Sequence, residues 1–330
     1  MREITAQLIL GDCHDQLKKF GDNHFAACIT DPPYNYEFIG KRWDKEEIDR
    51  RTERVKNSKT LVKNIPYGSG LAGGVRDARW YKRNRENIIQ YQEWCTEWGK
   101  EVYRTIRPGG FVLVFNSTRT IAQVQVALES VGFYSRDILV WRRSSGIPKG
   151  FNYSSKLAKL GRETERHLWA GWHSCLRNEW EAVAVLQKPL ITNYQNTVEN
   201  FGVGLMRAEG DGIEGFQSNI LEGFRITKGE KVEGHCTVKP ISLMKKLVDM
   251  VIPELNRSSM VVLDPFAGSG TTLLAAKMLG IPSIGIEINE EYLNIAETRL
   301  KGRSRDARPW PPAAQGRAGP PVRQGRRCAT

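Results

Sequence analysis

The sequence lacks the features that mark membrane-inserted, exported and metal-binding proteins. No apolar run among its 330 residues approaches the length that spans a bilayer, and Met1–Ile4 opens no secretory-signal pattern. The six cysteines are scattered without a Cys-x-x-Cys pair, so they indicate neither a zinc site nor a disulfide framework. These absences predict a cytoplasmic protein with reduced thiols, without a metal ion and without a membrane partner.

Acidic residues are too few to balance the basic ones, and the imbalance is uneven. The formal net charge of +12 favours an anionic partner. Range 41–85 holds 14 Lys and Arg against 6 Asp and Glu, range 136–177 holds 9 against 3, and range 301–330 holds 8 against 1. Range 178–235 is acidic instead, with 5 against 9. We expect phosphate contacts from the two internal basic ranges, whereas a basic tail is most often a solvated segment.

The remaining composition is that of a large α/β domain. A hydrophobic content of 40% with 26% charged residues is typical of globular proteins, and the length suffices for one domain with an insertion. Apolar runs predict strands at 6–12, 25–30, 111–115, 137–141, 182–186, 261–264 and 282–288. Helical spacing of apolar residues predicts helices at 13–20, 88–106, 121–131, 241–252 and 273–279. Residues 190–234 show no clear period.

One strand–turn–helix pattern has the layout of a nucleotide-type cofactor site. A β-branched run ends at Asp264 and passes through Gly268-Ser269-Gly270 into a predicted helix. The third glycine of a dinucleotide motif is absent, since Leu273 holds its place, so a plain βα turn is an equal alternative. Glu287, 19 positions past Gly268 at the end of the next predicted strand, could accept hydrogen bonds from ribose hydroxyls.

A second turn lies near the other end of the chain. Asp31-Pro32-Pro33-Tyr34 follows the predicted strand 25–30, and its prolines fix φ and remove two backbone donors. The turn is therefore stiff, and it lies at the carboxyl end of a strand, where open α/β sheets bind ligands. Taken alone, Asp31 is more often a turn-capping acid.

Together these two turns resemble the S-adenosylmethionine-dependent amino-methyltransferases of DNA. The order of Asp31–Tyr34 (DPPY) before Asp264–Gly270 (DPFAGSG) is that of the β arrangement, in which the catalytic half precedes the cofactor half. Supporting matches across residues 4–300 are Gly11-Asp12, Arg107–Phe111, Lys239-Pro240 and Gly285–Asn289. The resemblance implies an α/β, Rossmann-like fold: a mostly parallel sheet with helices on both faces, a reversed final strand and an inserted DNA-recognition segment.

The resemblance also divides the chain. It implies a catalytic half at 1–141 that includes a basic DNA-contacting loop at 41–85, a strand pair with a target-recognition segment at 142–234, and a cofactor half at 235–302. The tail 303–330 is rich in Arg, Pro, Gly and Ala, a composition that predicts disorder.

The chemistry of amino methylation suits the residues of the DPPY turn. The lone pair of an exocyclic amino group is delocalised into the base, and acceptors for its two N–H bonds, Asp31 and the Pro32 carbonyl, would turn that lone pair toward the methyl group. Tyr34 offers a face for a base flipped out of the duplex. The implied catalytic residues are Asp31, Pro32, Pro33 and Tyr34.

The resemblance implies further binding residues. Those expected around S-adenosylmethionine are Asp12, Lys239, Asp264, Phe266, Gly268, Ser269, Gly270 and Glu287. In particular, Phe266 is expected on the adenine ring, Asp12 on its amino group, and Lys239 with the glycine turn at the methionine end. Core packing of Phe266 is the alternative. The candidate DNA contacts are Lys41, Arg42, Arg142, Arg143 and Lys149.

Three functions compete at this point. Aspartate at position 31 resembles the adenine-N6 enzymes, so the first is N6 methylation of adenine in double-stranded DNA. The second is cytosine-N4 methylation, although serine is commoner there. The third is a non-catalytic nucleic-acid-binding protein, against which the intact turns argue. A cognate restriction endonuclease and a second copy of the chain, forming a homodimer, are further candidate partners.

Overall fold

The computed structural model describes residues 6–34, 78–143, 151–210, 215–230, 232 and 238–302, except the side chains of 78–84. Its strands are β1 (Ala6–Leu10), β2 (Phe25–Thr30), β3 (Ile106–Asn116), β4 (Tyr134–Arg142), β5 (Trp180–Gln187), β6 (Ile220–Leu221), β7 (Val262–Asp264) and β8 (Ser283–Glu287). Its helices are α1 (Cys13–Leu17), α2 (Ala78–Thr105), α3 (Ile121–Val131), α4 (Tyr153–Lys159), α5 (Glu163–Leu168), α6 (Tyr194–Phe201), α7 (Ile241–Val251), α8 (Thr271–Met278) and α9 (Glu290–Gly302). The predictions for Lys41, Arg42, Lys149, the tail 303–330 and most of the basic loop 41–85 concern residues outside this description.

The strands form one mixed sheet in the order β1-β8-β7-β2-β3-β5-β4-β6. Neighbouring strands are parallel except at β5, which runs antiparallel to both β3 and β4. The predicted mostly parallel sheet with one reversed strand is therefore confirmed. The reversed strand is the last of the series β2–β5, but it is not the final strand of the chain, since β6, β7 and β8 follow it.

Helices cover both faces of the sheet. All six residues of β2 are buried, as expected for a central parallel strand that is covered on both sides. On one face Ile29 belongs to an apolar cluster with α7 and α8; on the other, Cys28 belongs to a cluster with α2 and α3. No helix in the described part of the chain is both long and apolar enough to cross a membrane.

The sheet brings the two turns of the sequence together. β2 and β7 are parallel neighbours, with Ala27 opposite Val262 and Cys28 opposite Leu263. Their carboxyl ends therefore lie side by side, and the Thr30 hydroxyl donates to the Asp264 carboxylate over 2.7 Å. This pairing places the DPPY turn and the glycine turn at one edge of the sheet, as the sequence predicts.

Some elements differ from the sequence prediction. α6 lies within 190–234, where no period is visible, because it is defined by local signals: the Asn193 side chain accepts from the Asn196 amide, and Gly202 ends the helix at φ 69°. α2 starts earlier than predicted, and β3 begins at Ile106 and continues through the predicted stop at 107–110. These boundaries depend on pairing and packing that the local sequence does not encode.

Gly285 on β8 lies where α8 and the glycine turn approach the sheet. A Cβ on Gly285 would lie 2.8 Å from the Ala267 Cβ and 2.8 Å from Leu273 Cδ1. We predict that Gly285→Ala lowers the free energy of unfolding by about 1–3 kcal/mol through overpacking, as urea denaturation would measure. Gly21→Ala is the matched control, because a Cβ there meets open space. Equal effects of the two substitutions would contradict the packing argument.

Candidate active site

A carboxylate, an ammonium group and a phenol meet at the carboxyl end of β2. One oxygen of Asp31, Oδ2, accepts from Lys239 Nζ over 2.6 Å, and the other, Oδ1, accepts from the Tyr34 hydroxyl over 2.7 Å. Lys239 lies just before α7, and its side chain is only 9% exposed. Residues 31 and 239 are thus brought together across the sheet, and both oxygens of Asp31 are engaged.

A second carboxylate, Glu181, completes this cluster. Its Oε2 lies 3.3 Å from Lys239 Nζ and 3.3 Å from the Tyr34 hydroxyl, while its Oε1 accepts from Arg143 over 2.7 Å. Glu181 reaches this edge because β5 is reversed, which places the first residues of β5 beside the last residues of β3. Lys239 is therefore shared by two acids from different elements. We call Asp31, Tyr34, Arg143, Glu181 and Lys239 the acid–lysine cluster.

Burial and charge act against each other in the acid–lysine cluster. Burial raises the pKa of Asp31, and Lys239 offsets this only in part. Burial alone would lower the pKa of Lys239, but Asp31 and Glu181 raise it. Burial alone would raise the pKa of Glu181, but Lys239 and Arg143 lower it. Burial, together with the charges of Asp31 and Glu181, raises the pKa of Tyr34 well above its usual range, so Tyr34 acts as a neutral donor.

The DPPY turn is also held through its backbone. The Tyr91 hydroxyl on α2 donates to the Pro33 carbonyl over 2.8 Å and accepts from the Asn116 side chain over 2.6 Å. The Thr120 hydroxyl donates to the Tyr34 carbonyl over 3.0 Å. α2 and the end of β3 therefore fix the turn before any ligand binds.

The glycine turn between β7 and α8 forms the other half of the site. Gly268 and Gly270 have φ values of 50° and 73°, in the left-handed region. A Cβ on Gly270 would lie 2.8 Å from the Ala296 Cβ. The Gly268 amide donates to one Glu287 carboxylate oxygen over 2.7 Å, and the Asn289 amide donates to the other over 2.8 Å. Burial raises the pKa of Glu287 against these bonds.

Side chains from two helices support the glycine turn. The Phe266 ring centroid lies 5.3 Å from that of Trp94 and 5.5 Å from that of Trp98, both on α2. From α9, Arg299 donates to the Ser269 hydroxyl over 2.9 Å and to the Thr271 hydroxyl over 3.0 Å. The core packing that the sequence offered as an alternative for Phe266 is thus present on one side of its ring, which remains only partly buried.

Comparison with known proteins identifies the family. The family model N6_N4_Mtase, described as DNA methylase, matches residues 25–298. The chain belongs to this family of DNA methylases. It is 32% identical to the type II methyltransferase M.HindIII of Haemophilus influenzae, over 86% of this chain and 92% of that protein. It is 27% identical to M.HinfI, also of Haemophilus influenzae, over 91% of this chain and 70% of that protein.

Solved structures agree on the fold. The PvuII DNA methyltransferase, titled cytosine-N4-specific, aligns with a TM-score of 0.55 at 14% identity over 92% of this chain and 88% of its own. A DNA modification methylase of Thermus thermophilus, complexed with S-adenosyl-L-methionine, aligns with a TM-score of 0.50 at 18% identity over 90% of this chain and 93% of its own. At these identities the likeness supports the fold alone, and it confirms the predicted methyltransferase fold.

The predicted cofactor residues of the methyltransferase lie at and around the glycine turn, at the start of α1 and in the acid–lysine cluster. Phe266, Gly268–Gly270 and Glu287 lie together at the glycine turn, and Asp264 lies between this turn and the DPPY turn. Asp12 caps α1 by accepting from the His14 amide over 2.8 Å, and the adjacent Gly11 amide donates to the Glu287 carbonyl. Lys239, expected at the methionine end of the cofactor, donates to Asp31, and its contact with the cofactor stays a prediction.

The two described arginines among the predicted DNA contacts both pair with acids of the methyltransferase itself. Exposed Arg142 bonds to Glu222 over 2.9 Å, and Arg143 bonds to Glu181 over 2.7 Å. Arg143 is therefore part of the acid–lysine cluster, and contact of either arginine with DNA stays a prediction.

Several functional side chains are absent from the sequence prediction. Glu181 had a usable signal, because it is the one charged residue next to the apolar run 182–186. Trp94 and Trp98 on α2 fit the spacing of apolar residues in an ordinary core helix, so the sequence does not mark them as functional. The supporting residues found only in the structure are Tyr91, Trp94, Trp98, Asn116, Thr120, Glu181 and Arg299.

Asp264 gives the methyltransferase a pH-dependent stability. Burial raises its pKa from 3.8 to about 6, although hydrogen bonds from Thr272 and Thr30 oppose the rise. Between about pH 4 and pH 6 the unfolded chain ionises this carboxyl more readily than the folded chain, so rising pH lowers stability through Asp264. In the parent protein, Asp264 should make the unfolding free energy at pH 7 about 1–3 kcal/mol lower relative to pH 4. Asp264→Asn should abolish this part of the difference between the two pH values. An unchanged difference would refute this titration.

Proposed function

We propose that the protein transfers a methyl group from S-adenosylmethionine to the exocyclic N6 of adenine in duplex DNA. The observation that carries the proposal is the position of Asp31. It is a part-buried carboxylate at the carboxyl edge of the sheet, joined through Thr30 and Asp264 to the glycine turn. A hydrogen-bond acceptor for an amino group thus lies beside a turn suited to a nucleoside cofactor.

The residues of the glycine turn fit that cofactor. Gly268 and Gly270 adopt left-handed backbone conformations that favour glycine, and they lead into α8, whose N-terminus suits an approaching ligand. The Glu287 carboxylate lies 2.7 Å from the Gly268 amide, where it can also accept hydrogen bonds from ribose hydroxyls. The partly buried Phe266 ring offers a face to adenine. Asp12 and Ser269 are the polar groups proposed to complete the site. S-adenosylmethionine supplies an activated sulfonium methyl group.

The remaining task of the protein is to align the amino group. We assign Asp31 and the Pro32 carbonyl as acceptors for its two N–H bonds, an arrangement that directs the nitrogen lone pair toward the methyl group. Pro33 is held by Tyr91, so the turn is preorganised. Tyr34 donates to Asp31 and presents its ring to a flipped base. No group needs to deprotonate the amino nitrogen before transfer; the proton that the methylated nitrogen must then lose would pass to Asp31 or to solvent.

Binding of duplex DNA is assigned to the segment that follows β4. Within 142–177 basic residues alternate with exposed aromatic and apolar side chains, among them Trp172 at 65% and Leu176 at 93% exposure. This combination suits phosphate contact with stacking or wedging against bases. We place target recognition within 142–234. Since M.HindIII is a type II methyltransferase, a cognate restriction endonuclease is a further proposed partner, and a homodimer a further proposed state.

Cytosine-N4 methylation is the competing reaction. The family N6_N4_Mtase covers both products, whereas aspartate at position 31 favours adenine. The acceptor arrangement around the amino group serves either base, so the choice depends on the pocket that receives it.

We predict that DNA methylated by the purified protein contains N6-methyladenine. Digestion to nucleosides and mass spectrometry measure this product directly, with DNA incubated without the methyl donor as the control. N4-methylcytosine as the sole product would overturn the adenine assignment while leaving the family unchanged.

We predict that Asp31→Ala lowers methyl transfer by about 10²–10⁴-fold, because the amino group loses its charged acceptor. Calorimetric titration should show cofactor binding largely retained. Asp15→Ala on α1, which removes an exposed carboxylate that pairs with Lys18, is the control and should keep full activity. Full activity in Asp31→Ala would refute the role proposed for Asp31.

A further inference from the structure

In the ligand-free protein, Asp31, the proposed acceptor for the amino group, already accepts hydrogen bonds from two side chains. Asp31 Oδ2 accepts from Lys239 over 2.6 Å, and Oδ1 accepts from Tyr34 over 2.7 Å. Each carboxylate oxygen can accept two hydrogen bonds, so an amino N–H of the target base would compete with one of these donors for an Asp31 oxygen. Its bond to Asp31 becomes strongest when that donor moves away.

The Lys239 ammonium cannot yield without another partner. Its side chain is 9% exposed, and a buried charge that loses its counter-ion is strongly destabilised. Glu181 Oε2 lies 3.3 Å from Lys239 Nζ, close enough to receive the ammonium after a short shift. The Tyr34 hydroxyl, 3.1 Å from the same nitrogen, lies beside this path.

Glu181 is itself held in place for this task. Its other oxygen accepts from Arg143 over 2.7 Å, and its side chain is 12% exposed. Glu181 lies on β5, which is paired on both sides by β3 and β4. The carboxylate is therefore a fixed anchor, whereas the lysine has a flexible stem.

We propose that Glu181 is a positioning residue that takes over the Lys239 ammonium as Asp31 engages the amino group of the target base. Glu181 touches neither the base nor the cofactor; it acts by releasing Asp31 without leaving a buried cation unpaired. The inference rests on the role proposed for Asp31 and holds whether the base is adenine or cytosine.

The charges around Asp31 give the proposal a distinctive pH signature. Lys239 from the segment before α7, Glu181 from β5, Tyr91 from α2 and Asp264 from β7 all act on this carboxyl or are acted on by it. The negative charge of Glu181 raises the pKa of Asp31. Removing that charge therefore lowers the pKa of Asp31, and the acid limb of the pH profile should move to lower pH.

The test compares Glu181→Gln with Glu297→Gln, which removes an exposed carboxylate on α9 that pairs with Lys301 over 3.0 Å. For Glu181→Gln we expect kcat to fall about 10²-fold, because Lys239 stays on Asp31, and the acid limb of kcat/KM to move to lower pH. Cofactor binding should not change, and Glu297→Gln should behave like the parent protein. Normal kcat, or a lower kcat with an unmoved acid limb, would overturn the proposal.

Arg143→Gln keeps the proposal testable if Glu181→Gln does not fold. This substitution removes the cation at the half-exposed end of the cluster and leaves Asp31 and Lys239 in place. Arg143 lowers the pKa of Glu181, so loss of the arginine should let Glu181 become protonated at a higher pH. The acid limb of kcat/KM should then move to higher pH. No movement, or movement to lower pH, would contradict the inference. If Asp31→Ala stays active, the role of Asp31 fails; if only these Glu181 tests fail, that role stands.

Discussion

The parallel pairing of β2 with β7 is the interaction on which the site depends. These strands are more than 200 residues apart in the chain, and each ends in an aspartate-containing turn. Because parallel neighbours end at the same edge, Asp31 and the glycine turn become neighbours without any special loop geometry. The Thr30–Asp264 bond secures this junction, and burial of the Asp264 carboxyl, with its pKa of about 6, is the electrostatic cost of placing an acid there.

A second constraint follows from burying charge at that edge. The acid–lysine cluster holds two carboxylates and two cations, so its formal charge cancels while each group keeps a partner within 3.3 Å. A single Asp31–Lys239 pair would also be neutral, but opening it for a substrate would strand the lysine. Glu181 gives Lys239 a second acceptor, so the Asp31–Lys239 pair can open when a substrate binds. Thus Lys239, which stabilises the ionised Asp31, can move onto Glu181 and leave Asp31 free to bind a new donor.

The sequence predicts the two turns and the core strands because each is a local pattern, whereas the assignment of cofactor residues depends on the family resemblance and stays a prediction. β2 and α3 have the predicted bounds, since a largely apolar strand that ends before a proline turn and an amphipathic helix closed by Gly132 are recognised from adjacent residues. The position of Glu181 beside an apolar run is visible in the sequence, but its partners are not. Its contact with Lys239 requires β5 to run backwards between β3 and β4, so that its first residues reach the edge where the parallel strands end. Strand direction is set by the whole sheet, not by the residues near position 181.

α2 couples the two half-sites through one face. Tyr91, Trp94 and Trp98 are spaced three and four residues apart, so their side chains lie along the same side of the helix. The first holds the DPPY turn through the Pro33 carbonyl, and the other two pack on Phe266 beside the glycine turn. A shift of α2 would therefore displace the amino-group acceptor and the cofactor platform together. In the proposed reaction the packing of α2 would therefore help to align the methyl donor with the base, which is the main catalytic demand of an already activated methyl group.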